Sequence, residues 1–254
     1  VVDRYMILHY SGLPNLEALG QVGNYHSSRI VPLLFVSFAG MLASLILPHM
    51  SHDWESGRRH RVGDQVVLSV KLVALALTGG SMCVLFAAPW LFEIGFRGKY
   101  DGGLAVLPWT LVFCAWIGVT YIAEMYILCA ERVKVIGLAM LCGLAINVVL
   151  NLILLPPLGL LGAVLATALS RLIVLLVIYC FALRLGMPFR LSMWLLTLAP
   201  VAVVLGPLLG SLLLAGLLAG VVATNRLITL REKATLLRAT RQARTAIGRK
   251  LGWT

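Results

Sequence analysis

A chain of 254 residues that is 60% hydrophobic and 12% charged departs far from soluble domains, where about half the residues are apolar and about a quarter charged. With a mean hydropathy of +0.96, it carries more apolar surface than a water-soluble core could hide, which leaves an integral membrane protein. The net charge of +11 does not argue for nucleic acid, because eight of the 21 Lys and Arg fall within residues 226–254 and most others lie between apolar runs, as membrane proteins distribute them.

The expected class is all-α, a polytopic transmembrane helix bundle occupying residues 1–223 with a basic tail at 231–254. A crossing needs about 20 apolar residues at about 1.5 Å each. Residues 1–11 read as the end of one span, carrying Asp3 and Arg4. Residues 12–28 are polar, with Gly12, Pro14 and Gly20 marking a loop or a surface helix. Residues 30–49 form a span closed by Pro48. A charged loop at 52–64 precedes the span 65–92, and a second loop at 93–103 precedes the span 104–130. The tight turn at Glu131, Arg132 and Lys134 leads into 135–155.

Pro156-Pro157 and Gly159 then separate two apolar runs, 135–155 and 160–183, which read as antiparallel helices joined by a very tight turn. Proline removes a backbone donor and biases its predecessor away from the helix, so the first run is expected to stop near Leu155. In the second, Gly162, Ala166 and Ser170 recur every four residues, a small-residue stripe that admits a close neighbour. Asn147 and Asn151 share one helix face at i, i+4. Amides are costly in lipid, so that face should look at protein or at a wet cavity.

Residues 191–223 are long for one span and short for two, and Gly206-Pro207 is a natural break. The loops at 52–64, 131–134 and 184–190 together hold seven Lys and Arg, against two in the alternate loops. The richer set belongs in the cytoplasm. Two crossings, 191–206 and 208–230, would put the tail inside as well, lying on the anionic leaflet or serving as a solvated anchor.

Several short patterns resemble the second half of polysaccharide flippases of the multidrug/oligosaccharidyl-lipid/polysaccharide exporter superfamily. They are Val2-Asp-Arg-Tyr-Met-Ile7, Val22-Gly-Asn-Tyr25, Phe96-Arg-Gly-Lys-Tyr100, and Asn151 through Leu155-Pro156 to Gly159 and Gly162-Ala163. The resemblance covers about residues 1–190. It implies one lobe of an alternating-access carrier, equivalent to helices seven to fourteen, with a first lobe supplied in cis or in trans. The implied cargo is a polyprenyl-diphosphate-linked oligosaccharide for polysaccharide synthesis, carried across the bacterial cytoplasmic membrane. The last helices, shorter here than in the family, and the heavily charged 52–64 loop depart from its pattern.

Ionisable groups inside spans are functional candidates because hydrocarbon penalises them. On the resemblance, Arg4 is a diphosphate contact, with an Asp3–Arg4 structural pair as the alternative. Arg29 stands at a span entrance, where it either snorkels or meets cargo. Arg171 lies deep in its span on the face of Thr167, and is a cavity candidate together with Asn147 and Asn151. Asp3 and Glu124 are candidates for proton or sodium coupling. Lys71, six residues past its loop, is expected to snorkel. His49 and His52-Asp53 read as interface residues, and Trp90, Trp109 and Trp194 as an aromatic belt. Cys83, Cys114, Cys129, Cys142 and Cys180 read as small buried hydrophobes, and neither a metal nor another cofactor is expected. Two rivals to the flippase are a multidrug or organic-cation antiporter and a membrane glycosyltransferase or ligase. An inert remnant is a third.

Overall fold

Long apolar runs have one local way to satisfy their backbone N–H and C=O groups away from water, which is the α-helix. The computed structural model describes residues 2–97, 100–223, 228–229 and 232, and two compact units divide the chain at Leu214/Ala215. The elements are α1 (Val2–Tyr10), α2 (Asn15–Glu55), α3 (Arg59–Phe96), α4 (Gly102–Cys129), α5 (Val133–Leu158), α6 (Leu160–Arg184), α7 (Leu191–Thr197), a 3-10 segment (Ala199–Leu205) and α8 (Gly206–Ala223). Among the described residues six segments are long and apolar enough to cross a bilayer. The protein is a multi-pass helical membrane bundle.

In the first unit α4 is the central helix, buried along most of its length. Ser28 meets Thr110, Gly40 meets Tyr121 and Ser51 meets Cys129, so α2 and α4 run parallel. Gly118 lets Leu77 of α3 and Ala39 of α2 approach together. Trp116 Nε1 donates to the Thr197 carbonyl at 2.9 Å, and Tyr179 Oη lies 2.8 Å from Thr197 Oγ1, tying α4, α6 and α7 by buried hydrogen bonds.

Several boundaries differ from those expected. No loop separates residues 12–28 from the span at 30–49: α2 is continuous through both, and through Pro32 and Pro48. Its polar residues are accommodated by pairing, as when Tyr25 and Ser28 turn toward α1 and α4. α3 begins at Arg59 rather than 65, which places Lys71 well inside the bundle at 0% exposure, so it does not snorkel. α5 does not stop at Leu155. Pro156 and Pro157 have a φ the helix can use, at the cost of their two i→i−4 hydrogen bonds, and the helix ends only where Gly159 takes φ +55°, ψ −134°. Only Cys114 and Cys129 are buried; Cys83, Cys142 and Cys180 are exposed on outward faces, where a small apolar thiol is equally at home.

The expected break at Gly206 is present. Gly206 sits at φ +86°, ψ +171°, a region that essentially only glycine occupies. A Cβ on Gly210 would lie 2.5 Å from the Ala202 carbonyl oxygen, so the chain bends sharply there. Gly206→Ala is expected to destabilise the protein by about 1–3 kcal/mol, read as a lower unfolding midpoint in detergent. No other atom stands in the way of that methyl, so an unchanged midpoint would show that the turn carries no strain.

In the second unit Thr229 N–H donates to Glu232 Oε2 at 2.6 Å, and Glu232 N–H reaches Thr229 Oγ1 at 3.4 Å. This reciprocal pair has the form of a capping box. The end of the expected second span, at 230, and nearly all of the 231–254 tail lie outside the described residues.

Candidate polar cavity

Three helices of the first unit each carry two polar side chains one turn apart: Tyr25 and Arg29 on α2, Asn147 and Asn151 on α5, Thr167 and Arg171 on α6. Such pairs share a face, and the α5–α6 hairpin brings two of the faces together. Asn147 Nδ2 donates to Thr167 Oγ1 at 3.3 Å across it. The hairpin closes because Gly162 packs on the backbone of Leu154 and Leu155, with Ala166 and Ser170 buried further along the same stripe.

Asp3 joins these faces. Tyr25 Oη donates to its Oδ2 at 2.7 Å. Thr167 Oγ1 stands 3.1 Å and Asn151 Nδ2 3.3 Å from its Oδ1. Arg29 Nη1 donates to Tyr25 Oη at 3.2 Å, so a chain of hydrogen bonds runs from guanidinium through phenol to carboxylate. The Arg29 guanidinium also stacks over Tyr25 and Phe113 at 5.1 and 5.6 Å, and its Nε is buried without an acceptor.

A cavity of about 270 Å³ opens beside this network. Asp3, Arg29, Asn147, Thr167, Ser170 and Arg171 supply its polar wall, and Phe113, Ile117, Met140 and Val174 its apolar one. A second cavity of about 290 Å³ shares Ile117, Met140 and Arg171 with it, so Arg171 stands between the two. The nearest partner to its guanidinium is the Met140 sulfur, 3.7 Å from Nη1, a weak acceptor that leaves the charge available to a ligand.

The structure thus brings Asp3, Arg29, Asn147 and Arg171 to one cavity, with Asn151 directly behind. Arg4 is not part of it: its side chain is exposed on α1 and Nη2 donates to His26 Nδ1 at 2.7 Å. Arg4 and Asp3 are neighbours in sequence but not an ion pair, because consecutive helical residues point about 100° apart. Glu124 lies on the stripe of α4 that carries Phe113, Ile117 and Thr120, beyond both cavities, buried and with Oε1 unpartnered. Tyr25 and Thr167, not among the expected site residues, hold the network together. Their signal was the one-turn spacing to Arg29 and Arg171.

Among the described residues no three His, Cys, Asp or Glu side chains gather as a metal site. Beyond the spans, Asp53 accepts from Arg58 Nη2 at 2.6 Å and from Gln65 at 3.2 Å. The Arg58 hydrogen bonds hold its carboxyl below the usual carboxylate range. No protein-family model, no curated protein and no solved structure matches the chain.

Proposed function

We propose that the chain forms one lobe of an alternating-access carrier that moves a polyprenyl-diphosphate-linked oligosaccharide across the bacterial cytoplasmic membrane. The observation behind this reading is that Arg29 and Arg171 share one cavity inside an apolar bundle, each with donor capacity unused by protein. Guanidinium groups grip phosphate oxygens bidentately and stay charged when half-buried. Two of them meet the two phosphates of the cargo while the polyprenyl chain remains in the bilayer. At about 270 Å³ the cavity sits just below the usual range for small-molecule pockets, so it takes a headgroup, and the saccharide lies toward the partner lobe. Alternating access then consists of the two lobes rocking about this charge. Arg4 is left out of the clamp.

Asp3 is the coupling residue in this reading. Its oxygens, with Thr167 Oγ1 and the unpartnered Asn151 Oδ1, are the hard donors a small monovalent cation such as sodium prefers. Such an ion, when bound, would offset the carboxylate charge and release the donors that now satisfy it. Glu124 is the alternative acid for proton coupling.

A cation antiporter needs a free acid in its binding cavity, but both Asp3 oxygens already accept hydrogen bonds, and Glu124, whose Oε1 is unpartnered, lines neither cavity. A glycosyltransferase needs paired carboxylates, and the nearest candidates, Asp53 and Asp64, are bound to Arg58 and Arg190. In a two-lobe protein, Arg29→Ala and Arg171→Ala should each lower surface polysaccharide at least tenfold with folded protein unchanged, the loss expected from about 1.5–3 kcal/mol per charged hydrogen bond. Normal export in both variants would remove the cavity from the mechanism.

A further inference from the structure

Away from the polar cavity, three connections meet at one end of the first unit. Arg190 pairs with Asp64 at 3.3 Å, and Pro188 packs on Gly63. Beside them a cavity of about 420 Å³ is lined by Trp54 and Arg59 from the α2–α3 turn, Glu131 and Arg132 from the α4–α5 turn, and Leu185 after α6. The Arg59 guanidinium stacks on Trp54 at 5.1 Å, and Trp54 stands edge-on to Tyr126 at 5.2 Å, so the cation and its platform are positioned in advance.

Two nearby acids are spent, and Glu55, exposed at the end of α2, is outside the cavity wall. Asp53 is held by Arg58 and Gln65, and Asp64 by Arg190. Glu131 is the one carboxylate in the wall, against two guanidinium groups. The helix ends add no net positive potential, because α3 and α5 begin at this end while α2, α4 and α6 finish at it, so Arg59 and Arg132 carry the charge of the wall. Directly alongside, α5 exposes Val133, Leu138 and Leu141, each about 60% open. A soluble anion would use only the arginines. An amphiphile uses both the arginines and the apolar strip.

We propose that this cavity binds the phosphodiester headgroup of an anionic phospholipid, with the acyl chains laid along the exposed face of α5. Basic pockets between helices at a membrane surface take such headgroups, and Arg59 and Arg132 supply the fork that phosphate oxygens fit. The site is separate from the polar cavity and does not depend on what the protein carries.

The test uses the whole chain in bilayer discs containing equal phosphatidylglycerol and phosphatidylcholine, with lipids that stay bound on detergent extraction counted by mass spectrometry. Wild-type protein should retain phosphatidylglycerol at least fivefold over phosphatidylcholine. The double variant Arg59→Gln/Arg132→Gln should lose that preference, whereas Arg184→Gln, at the same end but outside the cavity wall, should keep it. Brominated phosphatidylglycerol should quench tryptophan emission more than brominated phosphatidylcholine, and the difference should vanish in Trp54→Phe. Equal loss in Arg184→Gln would reduce the effect to general surface charge. Displacement of the lipid by millimolar inorganic phosphate would make the site one for a soluble anion. Either result, or no preference in the wild type, overturns the proposal.

Discussion

Asp3→Ala is expected to destabilise the protein by about 3 kcal/mol, more than any other single polar substitution around the cavity. Three side chains from three helices direct donors at that carboxylate. Hydrogen bonds to a charged group contribute about 1.5–3 kcal/mol each, and donors left without an acceptor carry a desolvation cost of similar size. The contributions are not additive, because Asp3 is only half-buried and water can reach part of the network. Asp3→Asn separates shape from charge. It fills the same space but cannot accept from Tyr25, Thr167 and Asn151 as a carboxylate does. Sodium at 100 mM, against choline, should raise the unfolding midpoint of the wild type and leave that of Asp3→Asn unmoved. If both respond alike, Asp3 is a structural acceptor and the coupling role passes to Glu124.

Gly162→Leu is expected to leave no folded protein at all. A Cβ at this position would stand 2.1 Å from the Leu154 carbonyl oxygen and 3.0 Å from the Leu155 Cα. Those are backbone atoms, and no rotamer change can move them. Gly162→Ala is the graded version, costing about 1–3 kcal/mol as the hairpin is forced apart. Gly143 makes a useful contrast. There a Cβ meets a Val174 methyl rather than backbone, so Gly143→Ala should be milder and should improve when Val174 is shortened to alanine. Monodisperse elution of Gly162→Leu with wild-type helicity would refute the close approach at this turn.

The hairpin was legible in the sequence because its signals are local: a helix-free glycine, a four-residue stripe of small side chains and two asparagines one turn apart. The same kind of signal, polar residues spaced i and i+4, marks α2, α5 and α6 around the cavity, but not the residues that α1 and α4 turn to it. What sequence reasoning misjudged was helix length. The polar stretch before Arg29 fits either a loop or a surface helix, and on both readings Arg29 stands at a span entrance. Those residues are helical, so Arg29 sits within α2 and Lys71 within α3. Arg4 is a diphosphate contact on the resemblance, yet with Asp3 turned to its three donors, Arg4, about 100° further round α1, meets His26 instead of the cavity. Lengths and directions of this kind are decided by packing partners distant in the chain, which a local pattern does not contain.

At about 1.5 Å per residue, the 41 residues of α2 extend about 60 Å, twice the roughly 30 Å of hydrocarbon in a bilayer. A rod of that length cannot lie wholly within the hydrocarbon, so at least one of its ends stands in water, and its contacts with α4 at Ser28, Ser51 and Trp54 carry that packing beyond the apolar layer.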